Sequence, residues 1–243
     1  MQEYIHRFYR RWMQAAGLVS FRVTVRESDL LIWAERDLSD EACASLVRHR
    51  EELEGFIALQ PPFADTFLPY AVPGDAPEVV RIMASAGERV GVGPMAAVAG
   101  AIAEVVGKDL LAHSREIMLE NGGDIYLRSE RDRRIGVFAG GSPLSGRLAL
   151  VIPPTPPGGL GVCTSSASVG PSYSAGAADA ALVVAESAAL ADAAATALGN
   201  RAKTTEDIED ALSTVAAVEG VVGCLLIMGE HLGVKGKLAL EHP

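Results

Sequence analysis

Residues 180–200 read AALVVAESAALADAAATALGN, an apolar run followed directly by an alanine-rich run. The first part has the length and the branched apolar residues of a buried strand. Ser187 is a good helix N-cap, the alanines after it favour a helix, and Gly199 with Asn200 is typical of a helix end. The stretch therefore predicts a strand that leads directly into a helix, and Asp192 is the one charged residue within that helix.

Strand and helix patterns elsewhere do not alternate regularly. Residues 19–33 predict a β-hairpin, residues 115–152 predict a three-stranded meander, and residues 221–240 predict a second hairpin. Helices are predicted for residues 3–15, for residues 39–59, from Pro77 through Met83, from Pro94 to residue 107 and from about Thr205. Because a Rossmann-type sheet needs strict strand–helix alternation, the fold class predicted here is α+β.

Composition excludes several classes of protein. Twenty-one basic residues against 31 acidic ones give a net charge of −10 without any Lys/Arg block, which argues against nucleic acid as a partner. No apolar run approaches the roughly 20 residues of a membrane helix, and the first residues lack the apolar stretch of a secretory signal. A cytoplasmic protein that does not bind membranes is expected, and its alanine-rich helices and strand edges suit a homo-oligomer.

The alanine-rich helix carries a pair of oxygen-bearing side chains. Asp192 and Thr196 are four residues apart, so they lie one turn apart on the same helix face. Mg²⁺ prefers oxygen ligands and often takes only one or two from the protein, with phosphate and water supplying the others. The pair therefore predicts a Mg²⁺ site. The alternative is that Thr196 bonds to its own helix and Asp192 is an ordinary hydrogen-bonded acid.

The sequence ENGGDI, residues 120–125, places polar residues around two glycines between apolar runs. Gly122 and Gly123 can adopt positive φ and offer their amides to an anionic or planar ligand, with Asn121 and Asp124 beside them. The alternative is a tight hairpin turn, because Asn-Gly is a strong turn signal.

A second polar segment follows in GVCTSS, residues 161–166. Thr164, Ser165 and Ser166 provide hydroxyls next to backbone donors, a combination that can hold phosphate. The alternative is a polar loop between two elements. Neither segment alone identifies a ligand.

Together the three segments resemble the ApbE-like family, the Mg²⁺-dependent FAD:protein FMN transferases. That family has a GGD turn, a T-S-G segment and a helix with A-D-A-x-x-T-A, in the order and spacing seen here. The resemblance covers about residues 75–230, and the whole chain is similar to a cytoplasmic branch of the superfamily. It implies a T-fold-related architecture of two packed α/β halves, with mainly antiparallel sheets and FAD in the cleft between them. The chain would be a single domain, with residues 1–72 as a lead-in and residues 73–243 as the motif-bearing core.

Site residues follow from this resemblance. It implies Asp192 and Thr196 as Mg²⁺ ligands and assigns seven residues to binding of the flavin nucleotide: Asn121, Gly122, Gly123, Asp124, Thr164, Ser165 and Ser166. In the transferases Mg²⁺ neutralises the FAD pyrophosphate while a protein threonine attacks, so that FMN becomes attached and AMP is released. No catalytic residue is assigned in this chain.

Two transferase segments differ here. The family lysine of G-x-x-K-G has no counterpart in PMAAVAGAIAE, which offers only Ala99 and Gly100. The family histidine of H-I-x-D-P-x-T-G is missing from SVGPSYSAGAADA, where Pro171 stands in that region. Two functions therefore stay open: a Mg²⁺-dependent flavin transferase or FAD pyrophosphatase, and a non-catalytic flavin- or small-molecule-binding protein that kept the cleft. A purely structural module would show neither ligand binding nor metal dependence.

Three further residues are weaker candidates. Cys163 could be a nucleophile, but no histidine lies in a recognisable motif with it, and a buried thiol is the favoured interpretation. Asp179 and Glu186 flank the strand before the alanine-rich helix and could supply a further metal oxygen. Cys43, Cys163 and Cys224 are widely spaced without a CxxC pair, so reduced thiols are expected rather than disulfides or a zinc site.

Overall fold

The computed structural model describes residues 13–15, 17–166 and 176–242 of the chain. These residues form six α-helices: α1 (Ser39–Leu59), α2 (Pro62–Asp65), α3 (Glu78–Val90), α4 (Val98–Leu110), α5 (Ala188–Arg201) and α6 (Ile208–Ala216). Their strands are β1 (Met13–Gln14), β2 (Val19–Val25), β3 (Ser28–Ala34), β4 (Ile117–Asn121), β5 (Asp124–Arg128), β6 (Arg133–Gly136), β7 (Ala149–Ile152), β8 (Leu160–Ser165), β9 (Ala180–Ala185), β10 (Val221–Met228), β11 (His231–Gly236) and β12 (Ala239–Glu241).

The main sheet has eight antiparallel strands in the order β11-β10-β9-β8-β5-β4-β3-β2. It consists of two four-stranded groups, β2–β5 and β8–β11, which meet where β5 pairs with β8. Each group has the same order of elements, because helices α1–α4 lie between β3 and β4 and helices α5 and α6 lie between β9 and β10. The predicted α+β class with mainly antiparallel sheet is confirmed.

Both faces of the main sheet are buried in its central strands, whereas the edge strand β11 is partly exposed. Helices cover one face, where Ile32 and Leu119 belong to the larger apolar core. The second sheet, in the order β1-β6-β7-β12, covers the other face, where Trp33 and Met118 belong to a separate apolar core. Neighbouring residues of one strand enter different cores because successive side chains of a strand point to opposite faces.

Two predictions about local structure are wrong. Residues 115–152 do not form a meander, because β5 pairs with β4 and β8 while β6 pairs with β1 and β7 in the second sheet. Short apolar runs predict strands but do not specify their partners. Met13–Gln14 is a strand rather than the end of a helix. Residues 3–12 of that predicted helix lie outside the described part of the chain.

The later predicted helices are present, with some ends shifted. Helix α1 covers residues 39–59 as predicted, whereas α3 continues beyond Met83 to Val90 and ends at Gly91 with φ 76°. In the described residues no single helix has the length and hydropathy of a membrane span. Helix α3 and the segment Pro94–Leu110 have that length and hydropathy only when taken together, and they are bent by 106° relative to each other.

Helix α5 is fixed at its first turn by α4 and by its own cap. The Ser187 side chain accepts a hydrogen bond from the Leu190 amide at 3.3 Å, which confirms the predicted N-cap. Glu104 of α4 accepts from the Ser187 hydroxyl at 2.7 Å and from the Ala189 amide at 3.2 Å. A Cβ on Gly100 would lie 2.2 Å from the Ala188 carbonyl oxygen, so the two helices approach this closely only with glycine there.

Candidate functional site

The predicted segments converge where the two halves of the main sheet meet. The Asn121 side-chain amide donates to the Ala99 carbonyl at 3.0 Å, and the Gly100 amide donates to Asp192 Oδ2 at 2.9 Å. Asp124 accepts a hydrogen bond from the Thr164 amide. The β4–β5 turn, the end of β8 and the helices α4 and α5 therefore form one site.

One narrow stripe of α5 is accessible. Asp192, Thr196 and Asn200 are partly exposed and four residues apart, whereas the rest of the helix up to Gly199 is buried. The residues around the stripe are mostly alanines, so no long side chain of α5 covers the carboxylate and hydroxyl. This arrangement leaves the predicted pair open to a ligand on one helix face.

The Asp192 carboxylate accepts hydrogen bonds from the N-terminal turn of another helix. The amides of Ala99 and Gly100, in the first turn of α4, donate to its carboxylate. The first-turn amides of a helix have no partner within the helix, so Asp192 acts in place of a cap. Burial raises the pKa of Asp192 to about 7, although these two amides act to lower it. Both donors are neutral backbone amides. They therefore bind the carboxylate but do not balance its negative charge when it is ionised.

Asp124 lies within range of the Asp192 charge, and its own hydrogen bonding is less complete. Asp124 is the first residue of β5 and is 9% exposed. Among the described residues its Oδ1 has no hydrogen-bond partner. Burial, and then the charge of Asp192, raise the pKa of Asp124 well above its ordinary value. Two neighbouring carboxyls, one of them buried, repel one another when both are ionised, and a proton or a cation compensates that charge.

Cys163 completes the buried floor of the site. Its thiol is fully buried, 3.4 Å from the Ala188 carbonyl oxygen and close to the Asp124 carboxyl. Burial and the charges of Asp124 and Asp192 raise the pKa of Cys163 well above its usual value. A protonated, inaccessible thiol is a poor nucleophile, so the expectation of a buried, unreactive cysteine fits the structure.

The glycine turn has the predicted backbone. Gly122 and Gly123 have φ of 69° and 108°, and they form a two-residue turn between paired residues Asn121 and Asp124. The hairpin interpretation is therefore confirmed. The Gly123 amide is not free, however, because it donates to Glu120 Oε1 at 2.8 Å. Its place in a nucleotide pocket stays a prediction.

The remaining predicted residues lie at the end of β8, on α5 and at the two ends of β9. Thr164, Ser165 and Ser166 are partly exposed at the end of β8, and their contact with phosphate stays a prediction, as does metal ligation by Thr196. Asp179 and Glu186 are engaged elsewhere: Asp179 Oδ2 accepts from the Gly229 amide, and Glu186 pairs with Arg89. Within the described residues, no three His, Cys, Asp or Glu side chains are arranged as a metal cluster.

The comparisons place the chain among known proteins. The sequence model of the family described as AbpE bacteria matches residues 10–232. The chain belongs to this family. It is 43% identical over 215 residues to a UPF0280 protein of Methanocella arvoryzae, covering 88% of this chain and 87% of that protein. A UPF0280 protein of Methanosarcina acetivorans is 42% identical over 217 residues, covering 88% and 85% respectively.

Solved structures show the same ApbE fold for this AbpE family member. The apo flavinyl transferase ApbE of Pseudomonas stutzeri superimposes with a TM-score of 0.55 at 13% identity, covering 90% of this chain and 93% of that one. The ApbE protein of Thermotoga maritima gives 0.56 at 12% identity, covering 89% and 96%. The ApbE-like fold that the sequence motifs predicted is therefore confirmed.

The site of this AbpE family chain fits the Mg²⁺ that the ApbE resemblance implies. The partly exposed or unpartnered donors are all oxygens, from Asp192, Asp124 and Thr196, and oxygen is the ligand type of a hard cation. The unpartnered Asp124 Oδ1 is the atom that most requires a positive partner. Sequence patterns gave no reason to pair Asp124 with Asp192, because that contact depends on the junction of two distant strands.

Proposed function

We propose that this chain binds FAD or a related nucleotide together with Mg²⁺ at the junction of its two halves. The observation that carries the proposal is the pair of neighbouring carboxyls, the buried Asp124 and the partly exposed Asp192, because Asp124 Oδ1 has no partner among the described residues. Asp192 and Thr196 would hold the ion, which supplies charge neutralisation at bridging phosphates when bound. One protein of the same fold, that of Pseudomonas stutzeri, is a flavinyl transferase, which supports a flavin as the ligand.

The chain's own residues would position the nucleotide. Hydroxyls and amides of Thr164, Ser165 and Ser166 at the end of β8 would bind the phosphates. The glycine turn presents no side chain and would let a planar ring system lie against main chain at Gly122. The buried Asn121 would hold the turn in place through its hydrogen bond to α4.

Two reactions are compatible with such a site. Transfer or hydrolytic release of the FMN moiety is the first candidate function, which makes the chain a flavin transferase or FAD pyrophosphatase. The second is a binding protein without turnover. It is favoured by the 99–100 segment, where backbone amides rather than a lysine meet Asp192. In the described part of the chain, no basic side chain is among the groups that act on Asp192, so positioning of the substrate phosphates would be weaker.

Incubation of purified protein with FAD and Mg²⁺ tests both. Chromatography should detect AMP and FMN if the chain turns FAD over, and fluorescence titration should detect Mg²⁺-dependent FAD binding in either case. Asp192→Asn should weaken Mg²⁺-dependent binding about tenfold or more, because the ion loses a charged ligand. Asp210→Asn, the same substitution at an exposed position of α6, is the matched control and should behave as wild type.

The outcomes separate the candidates. Products that disappear in Asp192→Asn support the enzyme, whereas tight binding without products supports the binding protein. Absence of both FAD binding and Mg²⁺ dependence in the wild type would contradict the proposed function.

A further inference from the structure

Asp124 occupies an electrostatically unfavourable position at the junction. It is buried at the first residue of β5, and its Oδ1 has no partner among the described residues. The charges that act most strongly on it are those of Asp192 and Glu120, both negative. A buried carboxylate oxygen without a donor is costly, and a second carboxylate beside it increases that cost.

The surrounding hydrogen bonds do not remove this cost. Asp124 accepts from the Thr164 amide, and Asp192 accepts from the amides of Ala99 and Gly100. All of these donors are neutral backbone groups, which satisfy lone pairs but leave the net charge of the pair at −2 when both are ionised. The Cys163 thiol, which also hydrogen-bonds the Asp124 side chain, is neutral as well. Balancing the charge requires protons or a cation between the two carboxyls.

We propose that Asp124 is a direct cation ligand, and that its Oδ1 and the Asp192 carboxylate share one divalent ion that is held before any nucleotide arrives. The inference rests on the proposed function for the location of the ion and extends the ligand set implied by the ApbE resemblance. It gives Asp124, which the sequence placed in the nucleotide pocket, a role at the metal.

Binding of the ion before the nucleotide follows from the combined negative charge of Asp124 and Asp192. A site made of one carboxylate and one hydroxyl leaves a divalent ion half neutralised, so it depends on substrate phosphate for tight binding. Two carboxylates neutralise the ion without phosphate. Their positions on β5 and α5 are fixed by the Asp124–Thr164 and Gly100–Asp192 hydrogen bonds, so little reorganisation is needed on binding.

Calorimetric titration of the nucleotide-free protein with Mg²⁺ alone tests this inference, with Mn²⁺ and electron paramagnetic resonance as a second probe. Wild type should bind one ion. Asp124→Asn and Asp192→Asn should each weaken binding about tenfold or more, because each removes one negative charge from the ion's ligands while nearly preserving side-chain volume. Asp210→Asn should bind as wild type does.

Circular dichroism and thermal unfolding verify that each variant is folded, and Asp124→Ser provides a second, smaller neutral replacement. Wild-type cation affinity in a folded Asp124 variant would overturn the inference. So would a wild-type protein that binds Mg²⁺ only when FAD is present, a result that needs no variant and leaves the proposed function intact. A wild-type protein that binds Mg²⁺ but does not bind FAD would instead contradict the proposed function and leave this inference intact.

Discussion

Buried acids lie near both ends of the β4–β5 hairpin, and their surroundings differ. Glu116, just before β4, accepts from the Ser129 hydroxyl at 2.5 Å and from Arg133 Nη2 at 2.7 Å. Burial raises the pKa of Glu116, but these hydrogen bonds outweigh burial and hold it below the usual value. At the turn, Asp124 has an oxygen without a partner, and its pKa is raised well above the usual value.

The contrast separates a structural polar group from a candidate functional one. The Glu116 network is buried and satisfied, and it links β4 to β6 across the two sheets of the protein. Asp124 at the junction is buried too, but it faces the like charge of Asp192. Native proteins satisfy nearly all buried polar groups, so an exception beside an accessible helix stripe supports the proposed binding site.

The largest effect is expected in the hydrogen-bonded network around Glu116. Glu116→Ala should lower the free energy of unfolding by about 3–5 kcal/mol, because the charge of Arg133 stays buried after its carboxylate partner is removed. The Arg133 side chain is 2% exposed, so it cannot easily turn to water. Urea unfolding measures the loss.

Glu241→Ala is the control for this substitution, because it removes an exposed ion pair with Arg134 at 3.0 Å. The free energy of unfolding should change by less than about 1 kcal/mol. Equal losses in the two variants would show that burial of the Glu116 network does not matter to stability.

An intermediate effect is expected where α4 meets α5. Gly100→Ala would place a Cβ 2.2 Å from the Ala188 carbonyl oxygen and 2.8 Å from Asp192 Cβ, so the helices must separate. We expect a loss of about 1–3 kcal/mol in the free energy of unfolding, which is typical of overpacking, together with weaker Mg²⁺ binding. Urea unfolding and calorimetry measure the two effects.

Gly55→Ala is the matched control on an exposed position of α1, where nothing lies within 4 Å of the new Cβ. It should stabilise the protein by up to about 1 kcal/mol, because alanine has the higher helix propensity. If Gly100→Ala were stabilising as well, the close approach that defines the junction would be contradicted.

The smallest expected effect is a pH dependence of opposite sign in the two regions. Folding raises the pKa of Asp192 from 3.8 to about 7, so without divalent cation the folded chain binds more protons than the unfolded chain in that interval. Stability contributed by the neutral carboxyl is therefore lost as the pH rises through this range. The lowered pKa of Glu116 has the opposite consequence, with stability lost as the pH falls through its folded-state value.

Thermal unfolding between pH 3 and pH 8 checks these signs. Asp192→Asn should flatten the decline toward neutral pH and leave the acid decline in place, while Glu116→Gln should do the reverse. Saturating Mg²⁺ should also abolish the neutral decline in wild type. A Mg²⁺ effect of the same size in Asp192→Asn would show that the ion acts elsewhere.

The sequence by itself determined features that depend on local pattern. The Ser187 cap, helix α5, the β2–β3 and β10–β11 hairpins and the Asn-Gly turn are all as predicted. The shared helix face of Asp192 and Thr196 also follows from helical spacing. Caps, turns and periodicity act over a few residues, which is why the pattern is sufficient for them.

Only the tertiary structure decided which strands share a sheet and which charges meet. The Gly100–Asp192 hydrogen bond joins residues 92 positions apart, and β6 leaves the predicted meander to pair with β1 and β7. Neither the unpartnered oxygen of Asp124 nor the satisfied network of Glu116 has a signature in nearby residues. Burial and charge compensation are properties of the packed chain, because they depend on distant segments that exclude water together.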